Sequence, residues 1–152
     1  MIKIENRKVN ESILVVYKVC CNQQELGMED RMIVGVGTDM IEISRVKSAY
    51  ENPAFRKKYF TVLEQECIGE SFSKAAGNFA VKEAVAKVFG TGFSGFSPID
   101  IEVLRDEKGK PFVNLYQGAK EMAQSLDVAN IVVSISNTKE FAIAYAIGES
   151  LT

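Results

Sequence analysis

No histidine occurs anywhere in the 152 residues. Its absence removes every Ser/His and Cys/His nucleophile arrangement and every histidine-based metal site, so any chemistry falls to carboxylates, lysines or a hard metal ion. Cysteine is scarce as well. Cys20 and Cys21 are adjacent and Cys67 is remote, an odd set with neither a disulfide framework nor a zinc spacing, and we read them as reduced thiols. No apolar run approaches the roughly 20 residues that cross a bilayer, and the opening MIKIENRKVNESILVV lacks the small-residue cleavage pattern of a secretory signal. A cytoplasmic chain with no membrane contact is therefore expected. Excess charge is lacking too: the 18 basic and 20 acidic residues leave a net charge of −2. What is present, 47% hydrophobic and 25% charged residues, describes one globular domain long enough to bury a core.

Residues 1–31 read differently from the rest: an apolar stretch, Ile13 to Cys21, lies between polar segments, as an extra strand or an extension before a natural start near Met32. From Ile33 to Ile43 the chain is apolar at both alternating sets of positions, the pattern of a strand covered on both sides. Ser44 is placed to cap a short helix that Pro53 ends, and Thr61 with Glu64 forms a T-x-x-E capping box at the next helix start. A long helix is predicted from Glu70 to Phe89, stopped by Gly90 and Gly92. Ile99–Arg105 and Pro111–Leu115 read as strands about the turn Asp106–Lys110, Gln117–Leu126 as a helix, and Ile131–Ser136 with Phe141–Ile147 as a second hairpin. The predicted class is α+β, a mostly antiparallel sheet packed against a long helix in one compact domain.

On a helical wheel at ~100° per residue, Phe72, Ala75, Ala76, Phe79 and Ala86 form one stripe, and Glu83 falls in its middle. A carboxylate on an apolar face is costly unless a cation or donor meets it, and Lys87 follows in the favourable i,i+4 order. A surface salt bridge explains this pair equally well. Asp39 poses the same problem on the first strand, where period two puts it with Ile33, Ile41 and Ile43, behind Gly35 and Gly37. Taken alone, Asp39 is explained by capping of the following turn. Together, two acids on separate elements suit magnesium, which binds through one or two carboxylates and completes its shell with water and substrate phosphates.

Other features weigh less. Gly90 to Gly95 spells G-x-G-x-x-G, but it follows a helix where a dinucleotide fingerprint must follow a strand, so its glycines are read as a helix stop, with a possible backbone approach to phosphate beside Lys87. Arg45, Lys47, Arg56, Lys57 and Lys58 against the single acid Glu51 give a local excess of positive charge in an acidic chain. That segment suits an acidic protein surface, or simply solvent; nucleic acid is disfavoured because no group of stacking aromatics accompanies it. Cys67, inside a predicted helix, reads as a small buried hydrophobe.

Gly35–Ile43 (G-V-G-T-D-M-I-E-I), Phe60–Glu64, Phe79–Gly92 (F-A-V-K-E-A-V-A-K-V-F-G-T-G), Asp100–Val103 with Gly109–Pro111, and Ser134–Thr138 together resemble the holo-acyl-carrier-protein synthase family of 4′-phosphopantetheinyl transferases, in family order over about residues 32–148. The resemblance leaves 1–31 as an N-terminal extension and 32–152 as the transferase domain. It implies Mg²⁺-dependent transfer of the 4′-phosphopantetheine arm of coenzyme A to a serine of apo-acyl carrier protein, with release of adenosine 3′,5′-bisphosphate. It also implies a homotrimer with coenzyme A in clefts between subunits. By the same likeness Asp39 and Glu83 hold the metal, Lys87 meets the diphosphate near Gly90, Asn137 and Thr138 contact coenzyme A, and the basic segment receives the acidic carrier. Without histidine, the serine proton would pass to Asp39 or Glu83 directly or through a water on the metal, and the water route fits better because a metal-bound acid is a poor base. Two positions depart from the family, which often has Arg at Asn78 and His at Asn137. Both resemble contacts to the 3′-phosphate, and asparagine offers hydrogen bonds there without charge, a difference that Asn78→Arg tests through the Michaelis constant for coenzyme A. Competing readings are a non-catalytic coenzyme A or nucleotide-diphosphate binding module that docks an acidic protein, and transfer to a different carrier domain.

Overall fold

The computed structural model describes residues 2–9, 12–19 and 31–151. The chain opens with an antiparallel hairpin of β1 (Ile2–Val9) and β2 (Ser12–Val19), a two-stranded sheet of its own. The extra strand read over 13–21 is thus β2, while Cys20 and Cys21 lie outside the described residues. Next come β3 (Arg31–Glu42), α1 (Ile43–Tyr50), α2 (Pro53–Tyr59), α3 (Val62–Ile68) and the long α4 (Phe72–Val88). A 3₁₀ turn at Pro98–Asp100 leads into β4 (Ile101–Arg105), β5 (Pro111–Leu115), α5 (Gln117–Ser125), β6 (Asn130–Asn137) and β7 (Phe141–Leu151). The sheets are β3-β7-β6 and β4-β5, antiparallel throughout, which bears out the predicted α+β class.

Helix α4 lies on the β3-β7-β6 sheet because both surfaces are made of small residues. Ala142, Ala144 and Ala146 of β7 are fully buried, and so are Ala76, Ala80 and Ala84 of α4. Gly35 and Gly37 bring β3 against the helix: a Cβ on Gly35 would stand 2.5 Å from the Val88 carbonyl oxygen, and one on Gly37 would overlap that of Ala84. Backbone cannot swing aside as a side-chain tip can, so Gly37→Ala is expected to cost about 1–3 kcal/mol, read from the denaturant midpoint. On its other sides α4 meets Ile101 and Val103 of β4, and Ala119 and Ala123 of α5 join the same core. The helix is therefore buried over most of its circumference: beyond the single apolar stripe predicted from the wheel, Val81, Val85 and Val88 are buried too, while Phe79, Glu83 and Lys87 lie on its more open side.

Several local expectations are corrected. Pro53 opens α2 instead of closing α1, because Asn52 caps it by accepting from the Ala54 amide at 2.9 Å and proline suits the first helical turn. Ser44 lies within α1, whose N-cap residue is Glu42 and has no side-chain cap bond. Helix α4 starts two residues later than predicted, capped by Ser71, since α3 first ends at Gly69 with φ 54°. The capping box at Thr61 and Glu64 is formed as read. A register shift between Ile33 and Gly35 moves Ile33 to the face away from Asp39. Cys67 is exposed, not buried. Within one chain, moreover, α4 covers only one face of the three-stranded sheet. The other face leaves Val36, Met40 and Tyr145 at 57%, 61% and 55% exposure, where the sequence suggested a strand covered on both sides.

Candidate active site

Asp39 sits on the helix-facing side of β3, opposite Ala144 of β7. Its carboxylate accepts from Lys87 Nζ at 2.9 Å, and the same ammonium donates to the Thr38 carbonyl at 2.7 Å. Lys87 thus reaches across to β3 instead of closing a salt bridge with Glu83 one turn back on α4. Glu83 is half-buried, and among the described residues it forms no salt bridge. Burial pushes its carboxyl above the usual range, the Asp39 charge adds to the effect, and Lys87 opposes it. A half-buried Glu83 that faces the Asp39 charge and has no salt bridge among the described residues makes a site that a cation would relieve. No group of three or more metal-ligating side chains occurs among the described residues, so a cation here would rely on two protein carboxylates and outside oxygens.

An aromatic wall stands beside Glu83. Phe55 and Tyr59 of α2 stack at 4.5 Å between centroids, and Tyr59 meets Phe79, one turn before Glu83, at 5.3 Å. Burial first, and the Glu83 charge second, raise the Tyr59 phenol above its ordinary value. At the far end of α4, Gly90 (φ 74°) and Gly92 (φ 59°) turn the chain away, as a helix stop requires.

The remaining ligand candidates are not gathered here by a single chain. Asn137 donates to Ser73 Oγ at 2.9 Å, beside the start of α4, and Ser73 precedes Glu83 by about 15 Å along the helix axis. Thr138 Oγ1 accepts from the amides of Glu140 and Phe141 and so builds the β6–β7 turn. Asn78 is only 2% exposed: its amide nitrogen donates to Glu64 and to the Val103 carbonyl, and its oxygen accepts from Arg105 at 3.0 Å. Its placement as a 3′-phosphate contact is therefore corrected to an interior role, because no polar atom of the amide is left to reach a ligand.

The basic segment divides between α1 and α2. Arg45, Lys47, Lys57 and Lys58 are exposed, Lys47 lying over the Phe72 ring at 5.2 Å. Arg56 instead is half-buried, donates to the Tyr50 carbonyl at 3.0 Å and covers the Tyr50 ring, so it ties α2 to α1.

Two interior polar centres went unread in the sequence. Lys82 and Glu64 form a fully buried ion pair at 2.9 Å, and Lys82 also donates to the carbonyls of Pro98 and Ile101. Glu102 accepts from Thr61, Asn114 and Tyr116. Burial works against its ionised form, but those hydrogen bonds outweigh it and hold the carboxyl below the usual range. The only sequence signal for the pair was Glu64 in its capping box, with Lys82 one helical turn beyond the buried Asn78.

The antiparallel sheet about a buried helix has counterparts in known proteins. The profile of the 4′-phosphopantetheinyl transferase superfamily matches residues 35–146, and the chain belongs to that superfamily. Within it, the chain is 56% identical over 118 residues to the holo-[acyl-carrier-protein] synthase of Lachnoclostridium phytofermentans, covering 78% of this chain and 97% of that one. It is 52% identical over 122 residues to the enzyme of that name from Clostridium botulinum strain Alaska E43, covering 78% and 98%. Among solved structures, the Plasmodium yoelii acyl carrier protein synthase with ADP bound matches at TM-score 0.73 and 32% identity, over 81% of this chain and 99% of that one. The Helicobacter pylori holo-[acyl-carrier-protein] synthase in complex with coenzyme A matches at TM-score 0.67 and 27% identity, over 74% and 98%.

Proposed function

We propose that this chain is a holo-[acyl-carrier-protein] synthase: it transfers the 4′-phosphopantetheine arm of coenzyme A to a serine of an apo-acyl carrier protein and releases adenosine 3′,5′-bisphosphate. The reading is carried by the meeting of Asp39, Glu83 and Lys87 from two elements far apart in sequence. In the reaction a bond forms between the serine oxygen and the β-phosphorus as the bond to the bridging oxygen breaks, so negative charge grows on the phosphoryl and leaving oxygens. Lys87, half-exposed and held only at the rim, can turn its ammonium from Asp39 onto that diphosphate. Asp39 and Glu83 would hold Mg²⁺. Bound there, the ion would neutralise charge on the diphosphate and its leaving group. The serine proton would pass to Asp39, to Glu83 or to a water that they hold.

A homotrimer belongs to the same proposal. The open sheet face with Val36, Met40 and Tyr145 offers apolar surface to further copies, and a neighbouring subunit could bring its Asn137 and Thr138 to a site that one chain leaves incomplete. Residues 32–152 carry the transferase in this reading, residues 1–31 are an extension, and the location is cytoplasmic. Incubation with coenzyme A, Mg²⁺ and apo-carrier tests the reading: a transferase adds about 340 Da to the carrier, as transfer of the intact phosphopantetheine arm demands. A carrier that gains no mass while coenzyme A still binds would make the chain a binding module instead.

The split basic surface gives a separate expectation. Arg45→Ala, Lys57→Ala and Lys58→Ala should each raise the Michaelis constant for an acidic carrier about two- to fivefold at low salt, an effect that fades as ionic strength rises. Arg56→Ala should instead lower the melting temperature, since it removes the tie to Tyr50.

A further inference from the structure

Two apolar faces of this chain lie at the two ends of one short tether. The first belongs to the β1–β2 hairpin, which falls outside the residues matched by the superfamily profile and pairs with no third strand among the described residues. Its register sets Ile2 opposite Val19, Ile4 opposite Tyr17, Asn6 opposite Val15 and Lys8 opposite Ile13. Period two therefore gives one face six apolar positions, while Lys3, Glu5, Arg7 and Lys18 fall on the other. A two-stranded hairpin is marginal at best in water, and one with a single apolar face needs a surface to lay it on.

The second face is the terminal end of the β3-β7-β6 sheet, on the side away from α4. Ala146 and Ser150 of β7 are buried, so Ile147, Glu149 and Leu151 point the other way. Ile33 pairs with Glu149 and Val132 with Ile147 on that same outer side. Ile33, Val132 and Leu151 are 66%, 41% and 47% exposed. Glu149, the carboxylate among them, is met by Arg31 at 3.3 Å and Asn130 at 2.8 Å, so an apolar cover strands no charge there.

We propose that this sheet end is the docking surface for the chain's own β1–β2 hairpin, laid apolar face to apolar face. Attachment favours that occupant. Residues 20–30 join β2 to Arg31, which opens β3 and pairs with Leu151 inside the patch, and eleven residues reach at most about 36 Å. Size favours it as well. Two strands of eight residues cover roughly 26 by 10 Å, about 260 Å², far below the ~800 Å² that each partner gives to a stable interface between separate molecules. A free partner would not hold on so small a patch, whereas a tether supplies an effective concentration in the millimolar range. The docked hairpin leaves Met40 and Tyr145, farther along the same face, open to other copies, and it docks whether or not the chain is a transferase.

Amide hydrogen exchange of the full chain, resolved by peptide, tests the contact from both sides. Ile4→Asp, on the apolar face of the hairpin, should speed exchange over 31–34 and 147–151 at least tenfold, and Val16→Ser, on its opposite face, should change it less than twofold. Conversely, Leu151→Asp at the exposed sheet end should speed exchange over 2–9 and 12–19 at least tenfold, which a self-sufficient hairpin would not show. Val132→Ser repeats that half of the test without introducing a charge, and in every variant the amides of α4 should stay within twofold of wild type, separating loss of the cover from general unfolding. A sheet end that keeps its wild-type rate in Ile4→Asp overturns the seat, as do hairpin amides that already exchange at unfolded-chain rates in the wild type. So does hairpin protection that weakens on tenfold dilution, because the cover would then come from a second copy.

Discussion

Glu83→Gln and Asp39→Asn are each expected to lower the rate of holo-carrier formation at saturating coenzyme A by about 10²–10³-fold, the usual effect of removing one group that stabilises charge in a transition state. Both substitutions keep size and hydrogen-bonding capacity while removing the negative charge a divalent ion needs. The Mg²⁺ concentration for half-maximal rate should rise at least tenfold in the same variants, and chelation should abolish the wild-type rate. Lys87→Met should give a loss of the same order with a different signature. Its pair with Asp39 is half-exposed, which limits its share of stability to under about 1 kcal/mol, so the variant should melt near the wild type and need no extra Mg²⁺. Rates are read as carrier mass gained over time. Wild-type turnover in all three variants would show that the convergence of Asp39, Glu83 and Lys87 has nothing to do with catalysis.

Those three residues were legible because each breaks a local pattern. Asp39 is an acid at the inward period of a strand whose glycines precede it, and Glu83 is the one acid of α4, in line with Phe72, Ala76 and Phe79. The partners of each group were less legible. Lys87 stands one turn after Glu83 and sequence spacing pairs the two, yet the glycine-permitted approach of β3 puts Asp39 closer to the ammonium. Wheel and period arguments also assume that one face is wet. For α4 they fail because the β3-β7-β6 sheet, β4 and α5 surround it, and for β3 they fail at Ile33, where one register shift reverses the faces. Pro53 shows the same weakness at a boundary: proline both ends and begins helices, and only the Asn52 cap decides which.

Asn78 and Lys82 mark the deeper limit. Read along the helix, each is a polar residue four positions from the other, and nothing local says that both point inward. Their partners, Glu64, Val103, Arg105 and the 98–101 carbonyls, come from elements that only the fold brings round. The candidate site was therefore readable as a pair of acids and a lysine, whereas the polar interior that fixes the helix bearing Glu83 and Lys87 was not.

That interior makes the largest stability prediction. Lys82 and Glu64 are both fully buried, and desolvation dominates both: it pushes the Glu64 carboxyl up and the Lys82 ammonium down, each against the attraction of the other. A pair in that condition adds little net stability while intact, but either partner left alone is a buried, unmatched charge. Lys82→Met is accordingly expected to cost about 3–5 kcal/mol at pH 7 by denaturant unfolding. Lys82→Met with Glu64→Gln should recover part of that loss, since no charge remains and the one amide oxygen can still accept from either the Thr61 amide or Asn78, which use different oxygens of the carboxylate. The pH dependence separates this explanation from simple loss of packing. In Lys82→Met the folded-state value of Glu64 would rise further above the ordinary carboxyl value of 4.5, so the folded protein would bind a proton that the unfolded chain releases. The deficit should then be greatest at neutral pH and shrink as the pH falls toward 4.5, and the double variant should lack that slope. A deficit equal at both pH values would mean that the lysine acts through its shape alone. Because Lys82 adjoins Glu83, the double variant also asks what the pair does for the site: with stability partly recovered, any remaining loss of transfer rate measures how far the lost bonds to the Pro98 and Ile101 carbonyls let α4 shift the carboxylate that follows.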